Sequence, residues 1–313
     1  MSKRLILALA AAVAASAVAL TYPDIGGIAY RLDTRIESFS YGLHKEVIDV
    51  GNSRMMSYQG GPADAPEAIV MIHGFSADKD VWMRFARHFT DRYRVLIIDL
   101  PGHGETPFDS ALHYDAASQA LRVVRAMEAL GIQRAHIVGN SMGGFITARI
   151  ALDHPERTRS ATLIDASGVH SSEPSDMDRM LAAGGRNPFQ IANIAEFDEF
   201  YAMTMAKAPW VPRMTLDYMA QRYISQREQL ARIFHDSANG GFLDGNLGEI
   251  HVPVLVIWGA KDRLVHVSAA RRWATGIVGA ETIIYPDLGH MPMVEDPERS
   301  ANDVLDFIER HVS

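Results

Sequence analysis

The stretch Ala135-His-Ile-Val-Gly-Asn-Ser-Met-Gly-Gly-Phe145 decides how this chain is read. A short apolar run, Ala135 to Val138, meets a tight glycine turn and then a helix-period run from Phe145 to Asp153. The turn reads Gly139-Asn-Ser-Met-Gly143, a G-x-S-x-G pattern in the strand-turn-helix context that gives it meaning. Such a turn lifts a serine hydroxyl clear of a sheet, and the glycines remove side chains that would collide with the neighbouring strand and helix. The helix start adds backbone donors near any negative charge that develops there. The plainer reading makes Ser141 an ordinary helix cap in a glycine-rich β-to-α turn.

Outward from this turn, apolar and helix-period runs alternate. Ala68 to Ile72, Arg94 to Asp99, Ala135 to Val138, Ala161 to Asp165, Val252 to Trp258 and Thr282 to Tyr285 read as strands buried on both faces. Helices are predicted over about 79–91, 115–130, 142–154, 266–275 and 296–311. The alternation predicts an α/β fold, a mostly parallel sheet wrapped by helices. From Gly168 to Glu249 no strand is predicted, and the segment is rich in Phe, Tyr and Met, so it reads as a helical cap insertion over the C-terminal ends of the strands. The organisation predicted is an N-terminal apolar segment over 1–23, a linking segment over 24–44, a core over 45–168, the cap over 169–249 and the rest of the core over 250–313.

Serine needs a base, and in this kind of turn protein the order along the chain is serine, acid, histidine. His290, in Tyr285-Pro-Asp-Leu-Gly-His290, follows the last apolar run and precedes the last helix. Asp262, in Gly259-Ala-Lys-Asp262, follows the preceding run and would hold the imidazole tautomer. Asp165, also at a strand end, is the rival acid. Two backbone donors should face the developing oxyanion, one from Met142 after the serine and one from Phe75 in the loop Ile72-His-Gly-Phe-Ser76. His73 reads as a brace of that loop, and His103 and Glu105 as structural or surface residues. No H-E-x-x-H, EF-hand or P-loop motif occurs, and this chemistry needs neither metal nor cofactor.

The whole sequence limits the partners. It has 313 residues, 48% apolar and 22% charged, enough for a large core. With 30 basic and 38 acidic residues the net charge is −8, and no basic cluster stands out, so nucleic acid is not predicted as a partner. Cysteine is absent, which excludes disulfides, thiolate catalysis and cysteine zinc sites. At the N-terminus Lys3 and Arg4 precede an apolar run from Leu5 to Leu20, interrupted only by Ser16. As a helix it would span roughly 24 Å against a hydrocarbon core of about 30 Å. A retained single-pass anchor with the positive end inside and the domain outside the cytoplasm is the leading expectation. A signal cleaved near Ala15-Ser-Ala17, giving a periplasmic or secreted product, and a buried core helix are the alternatives.

Residues 66 to 311 resemble the α/β-hydrolase superfamily. His73-Gly-Phe-Ser-Ala-Asp-Lys-Asp-Val-Trp82, Asp99-Leu-Pro-Gly-His103, Gly139-Asn-Ser-Met-Gly143, Ile257-Trp-Gly-Ala-Lys-Asp262 and Gly289-His290, behind an apolar N-terminal segment, are most similar to membrane-anchored monoacylglycerol lipases and bacterial membrane phospholipases A. The resemblance implies a triad of Ser141, Asp262 and His290, an oxyanion hole of the Phe75 and Met142 amides, and a lipid or ester substrate. Gly139 to Gly144 also resembles carbon-carbon hydrolases of ring-opened aromatic diketones, which usually carry a His-Gly-Gly-Gly-Pro loop where this chain has His73-Gly-Phe-Ser-Ala. A ligand-binding protein on the same fold would need the pocket and not the triad.

Overall fold

A computed structural model describes residues 25–51 and 53–311. The Leu5–Leu20 run therefore lies outside the described residues. Among the described residues, no helix is long and apolar enough to cross a membrane.

Helix α1 covers residues 25–40. An antiparallel pair follows, β1 (Leu43–Asp49) and β2 (Arg54–Gly60), and then β3 (Ala68–Ile72), helix α2 (Met83–Ala86), β4 (Arg94–Ile98), α3 (Ala116–Ala129), β5 (Ala135–Asn140), α4 (Met142–Asp153) and β6 (Thr158–Ile164). Between β6 and β7 (Val254–Gly259) lie four helices, α5 (Asp176–Ala182), α6 (Ile194–Thr204), α7 (Arg213–Ser225) and α8 (Arg227–Asn239). The chain closes with α9 (Ser268–Gly276), β8 (Glu281–Tyr285), α10 (Pro292–Glu295) and α11 (Pro297–His311).

The eight strands form one sheet in the order β1-β2-β4-β3-β5-β6-β7-β8. From β4 to β8 every pairing is parallel, while β1 with β2 and β2 with β4 are antiparallel. All six apolar runs read as strands are strands. β3, β5 and β7 are buried at every residue, because helices cover both faces of the sheet. One apolar layer joins α3, α4 and α9 to the sheet through Val123, Ile146 and Trp273, and the opposite layer joins α2 and α11 through Phe85 and Phe307.

The sequence reading missed β1 and β2. In β1 only Leu43 and Ile48 are buried, and the intervening His44, Lys45, Glu46 and Val47 face solvent at the sheet edge, so there is little apolar pattern to read. The helix predicted over 79–91 is divided. Asp78 caps a 3₁₀ turn, Lys79–Trp82, and α2 lasts a single turn. Trp82, Met83, Phe85, Ala86 and Phe89 are all buried there, so packing against the sheet outweighs helical periodicity.

The strand order reverses direction at β3 and β5, which places a crevice at their C-terminal ends. Both Phe75, after β3, and Ser141, after β5, stand at that crevice.

Candidate active site

Ser141 sits between β5 and α4 with φ 56° and ψ −118°, a backbone conformation that side chains other than glycine seldom take. Its surroundings hold it there. The Ser141 amide donates to Ile164 O at 2.9 Å, and its carbonyl accepts from Phe145 N at 3.1 Å and Ser167 N at 3.2 Å. Two glycines make the turn possible. A Cβ on Gly139 would lie 2.1 Å from the Gly143 carbonyl oxygen, and one on Gly143 would lie 2.2 Å from that of Ile72. Gly74 passes so close that its Cβ would be 3.1 Å from the Ser141 Cβ.

His290 Nδ1 lies 2.7 Å from Asp262 Oδ2, both side chains being buried. A carboxylate only accepts, so Nδ1 carries the proton and Nε2 is left as the basic nitrogen. Asp262 is itself fixed, with Oδ1 accepting the amides of Leu264 at 2.8 Å and Val265 at 3.0 Å. Asp165 is fully buried with φ 46°, and its Oδ1 accepts the Gly259 amide at 3.0 Å. Its Oδ2 makes no hydrogen bond among the described residues. Burial, and then the charge of Asp262, push the Asp165 carboxyl well above the usual carboxylate range. Asp165, Asp262 and His290 each place one ligand-capable atom within 4.8 Å of the others, the one such group among the described residues. The Asp262–His290 hydrogen bond already uses one nitrogen and one oxygen of that group.

Two residues that sequence reasoning passed over anchor the His290 loop. Asn140 Nδ2 donates to His290 O at 2.9 Å and to Ile164 O at 3.2 Å. Glu295 Oε1 accepts the Gly289 amide at 2.8 Å, while its Oε2 accepts Ala206 N at 2.8 Å and Lys207 N at 2.7 Å, tying the loop to the chain after α6. The one sequence signal for Asn140 was its place beside Ser141; for Glu295 there was none.

The loop after β3 is held from below. His73 Nε2 accepts the Leu100 amide at 3.0 Å, so the proton is on Nδ1, which donates to Gly74 O at 2.7 Å. Burial holds the His73 pKa down at about 4. Lys79, almost fully buried, donates to Asp99 Oδ2 at 2.9 Å and Glu105 Oε2 at 2.7 Å, which makes Glu105 part of the support of this loop. Among the described residues neither the Phe75 amide nor the Met142 amide donates a hydrogen bond. Both donors remain available.

A cavity of about 240 Å³ reaches Ser141 and His290. Phe189, Phe200, Met205, Met219 and Leu264 supply apolar walls. Met203 is buried in the packing cluster and does not line it. The Phe75 ring packs on Phe189 and Phe234 at centroid distances of 5.0 and 5.4 Å, so the insertion sits directly against the loop after β3. The cavity also has polar walls on α1 and nearby, where Arg84 pairs with Glu37 at 2.6 Å, Arg222 with Asp78 at 3.1 Å, and Tyr30 donates to Asp80 at 2.6 Å.

Comparison with known proteins adds four likenesses to this geometry. The model of a family described as the alpha/beta hydrolase family matches residues 69–303. The chain is 30% identical over 269 residues to Lipase 1 of Psychrobacter immobilis, covering 85% of this chain and 84% of the lipase. It is 27% identical over 263 residues to the human monoacylglycerol lipase ABHD6, covering 80% and 78% of the two chains. Among solved structures, a membrane phospholipase A described as a bacterial virulence factor superposes with a TM-score of 0.88 at 32% identity, over 99% of both chains.

Proposed function

The chain belongs to the alpha/beta hydrolase family, and from that premise we propose that it is a serine carboxylester hydrolase of glycerol or membrane lipids. The names of the similar proteins support monoacylglycerols and phospholipids as substrates, and lysophospholipids carry the same kind of acyl ester. The observation that carries the reading is the 2.7 Å contact between His290 Nδ1 and Asp262 Oδ2, with His290 and the strained Ser141 lining one cavity.

In this reading His290 Nε2 takes the Ser141 proton as Oγ bonds to the acyl carbon. The Phe75 and Met142 amides hold the oxyanion. The tetrahedral intermediate collapses, the carbon–oxygen bond to the alcohol breaks, and the alcohol leaves with the proton from His290. Water then gives a proton to His290 and attacks the acyl-serine, releasing the fatty acid and restoring the serine. Asp262 orients the imidazole and stabilises its charged form. The steps use only these groups and water.

Residues 169–249 act as the cap in this reading, supported by the aromatic and methionine side chains they bring to the cavity. Residues 45–168 and 250–313 form the catalytic core. The Leu5–Leu20 run is a membrane anchor, residues 24–44 the juxtamembrane connection, and the catalytic domain stands on the side away from Lys3 and Arg4. The proposal is tested with a panel of acyl esters. Turnover of monoacylglycerol, lysophospholipid or phospholipid that disappears in Ser141→Ala supports it, and absence of turnover on every acyl ester contradicts it.

A further inference from the structure

Helix α1 has two unlike faces. Tyr30, Thr34 and Glu37 line the cavity that reaches Ser141. Ile25, Ile28, Leu32, Ile36 and Phe39 are 45%, 58%, 56%, 56% and 80% exposed. Their spacing of three and four residues puts all five on one stripe, on the side of the helix away from the cavity. Arg31 and Arg35 fall along one edge of that stripe and are exposed. A row of large apolar side chains in water, bordered by cations, is what a helix lying at a lipid surface presents.

We propose that this outer stripe of α1 rests in the surface of a lipid bilayer, with the helix parallel to the membrane and its inner face holding the cavity against the lipid. The inference rests on the proposed membrane residence of the Leu5–Leu20 run. Four residues, Thr21 to Asp24, separate that run from Ile25, and in any conformation they span at most about 18 Å. The stripe therefore begins close to wherever the run ends. Charge supports a lipid partner too. With a net charge of −8 the chain as a whole is repelled by anionic headgroups, and Arg31 and Arg35 place cations where the stripe meets them.

The absence of cysteine allows a clean test. Full-length protein carrying a spin label at Leu32→Cys, Ile36→Cys or the exposed control Val278→Cys is bound to phosphatidylethanolamine–phosphatidylglycerol vesicles, and each label's accessibility to oxygen and to a water-soluble nickel chelate is measured. Labels at 32 and 36 should be oxygen-rich and shielded from nickel, and the label at 278 open to nickel. Nickel access at 32 and 36 equal to that at 278 overturns the inference, as does strong spin–spin broadening from a second copy seated on the stripe. Failure of the protein to sediment with vesicles overturns both this inference and the proposed anchor. The depth measurement needs no turnover, so loss of the hydrolase reading would leave it standing. In activity, Leu32→Glu with Ile36→Glu should lower hydrolysis of bilayer-embedded lipid about tenfold or more while a dissolved butyrate ester is cleaved as before. Equal rates on embedded lipid would contradict it.

Discussion

Asn140 Nδ2 donates at 2.9 Å to the backbone carbonyl of His290, so the residue before Ser141 holds the loop of the proposed base in register with the proposed nucleophile. The two positions are 150 residues apart in sequence. Asn140→Ala should leave the His290 carbonyl without its donor, while Ile164 O keeps the Ser141 amide, and should cost about 1–3 kcal/mol of stability. Because the loop shifts and no substrate contact is lost, kcat should fall about ten- to a hundredfold with KM little changed. A KM effect with kcat intact would place Asn140 in substrate binding instead.

The two buried aspartates should behave differently. Asp262→Asn removes the acceptor that fixes the His290 tautomer and should lower kcat about ten-thousandfold. Asp165→Asn replaces a carboxyl whose neutral form burial and Asp262 favour with a neutral amide of the same size, and should cost less than about tenfold. The sign in stability follows. With its folded pKa raised, Asp165 adds stability below its ordinary pKa that is lost as pH rises, so melting temperatures of wild type should decline relative to Asp165→Asn as pH rises above the usual carboxylate range. Turnover of the two variants, compared in folded protein, exposes a reversed assignment at once.

His73 and His103 predict acid sensitivity. Burial lowers the first from 6.5 to about 4, and burial with the neighbouring His73 lowers the second to about 3. Both folded values lie below the unfolded one, so the stability of the neutral forms is complete above about pH 6.5 and is lost as pH falls toward 4 and then 3. Urea unfolding at pH 7.5, 5.5 and 4.5 should show this decline. His103→Phe, which removes a buried ring whose Nε2 has no hydrogen bond among the described residues, should flatten the slope. An unchanged slope would mean that other groups take up the protons.

How much of this was readable depends on how local each signal is. The Ser141 turn was readable because glycine, serine and an apolar run must be adjacent in sequence to make it. Asp262 and His290 were readable from chain order, and the structure brings them to 2.7 Å. Contacts made across the fold left no such mark. Lys79 looks like a surface lysine in Asp78-Lys-Asp80, yet it is turned inward by Asp99, twenty residues away. Glu295 looks like any helix acid and gathers amides from two distant loops. The apolar stripe of α1 was invisible as an exposed feature, since sequence shows the spacing of apolar residues and not which face of a helix is covered.

Fractionation tests the anchor. The full-length chain should stay with membranes after an alkaline carbonate wash, and the mature protein should keep its N-terminal run. A soluble product whose first residue lies near Val18 would show cleavage and end the anchor proposal.

The central claim is that Ser141 is the nucleophile, and covalent labelling tests it most directly. Wild-type protein treated with a fluorophosphonate and digested should yield one modified peptide, carrying the adduct on Ser141, and Ser141→Ala should yield none while losing about a millionfold in kcat. Labelling that persists at full strength in Ser141→Ala, or an adduct mapped to another residue in wild type, would contradict the account.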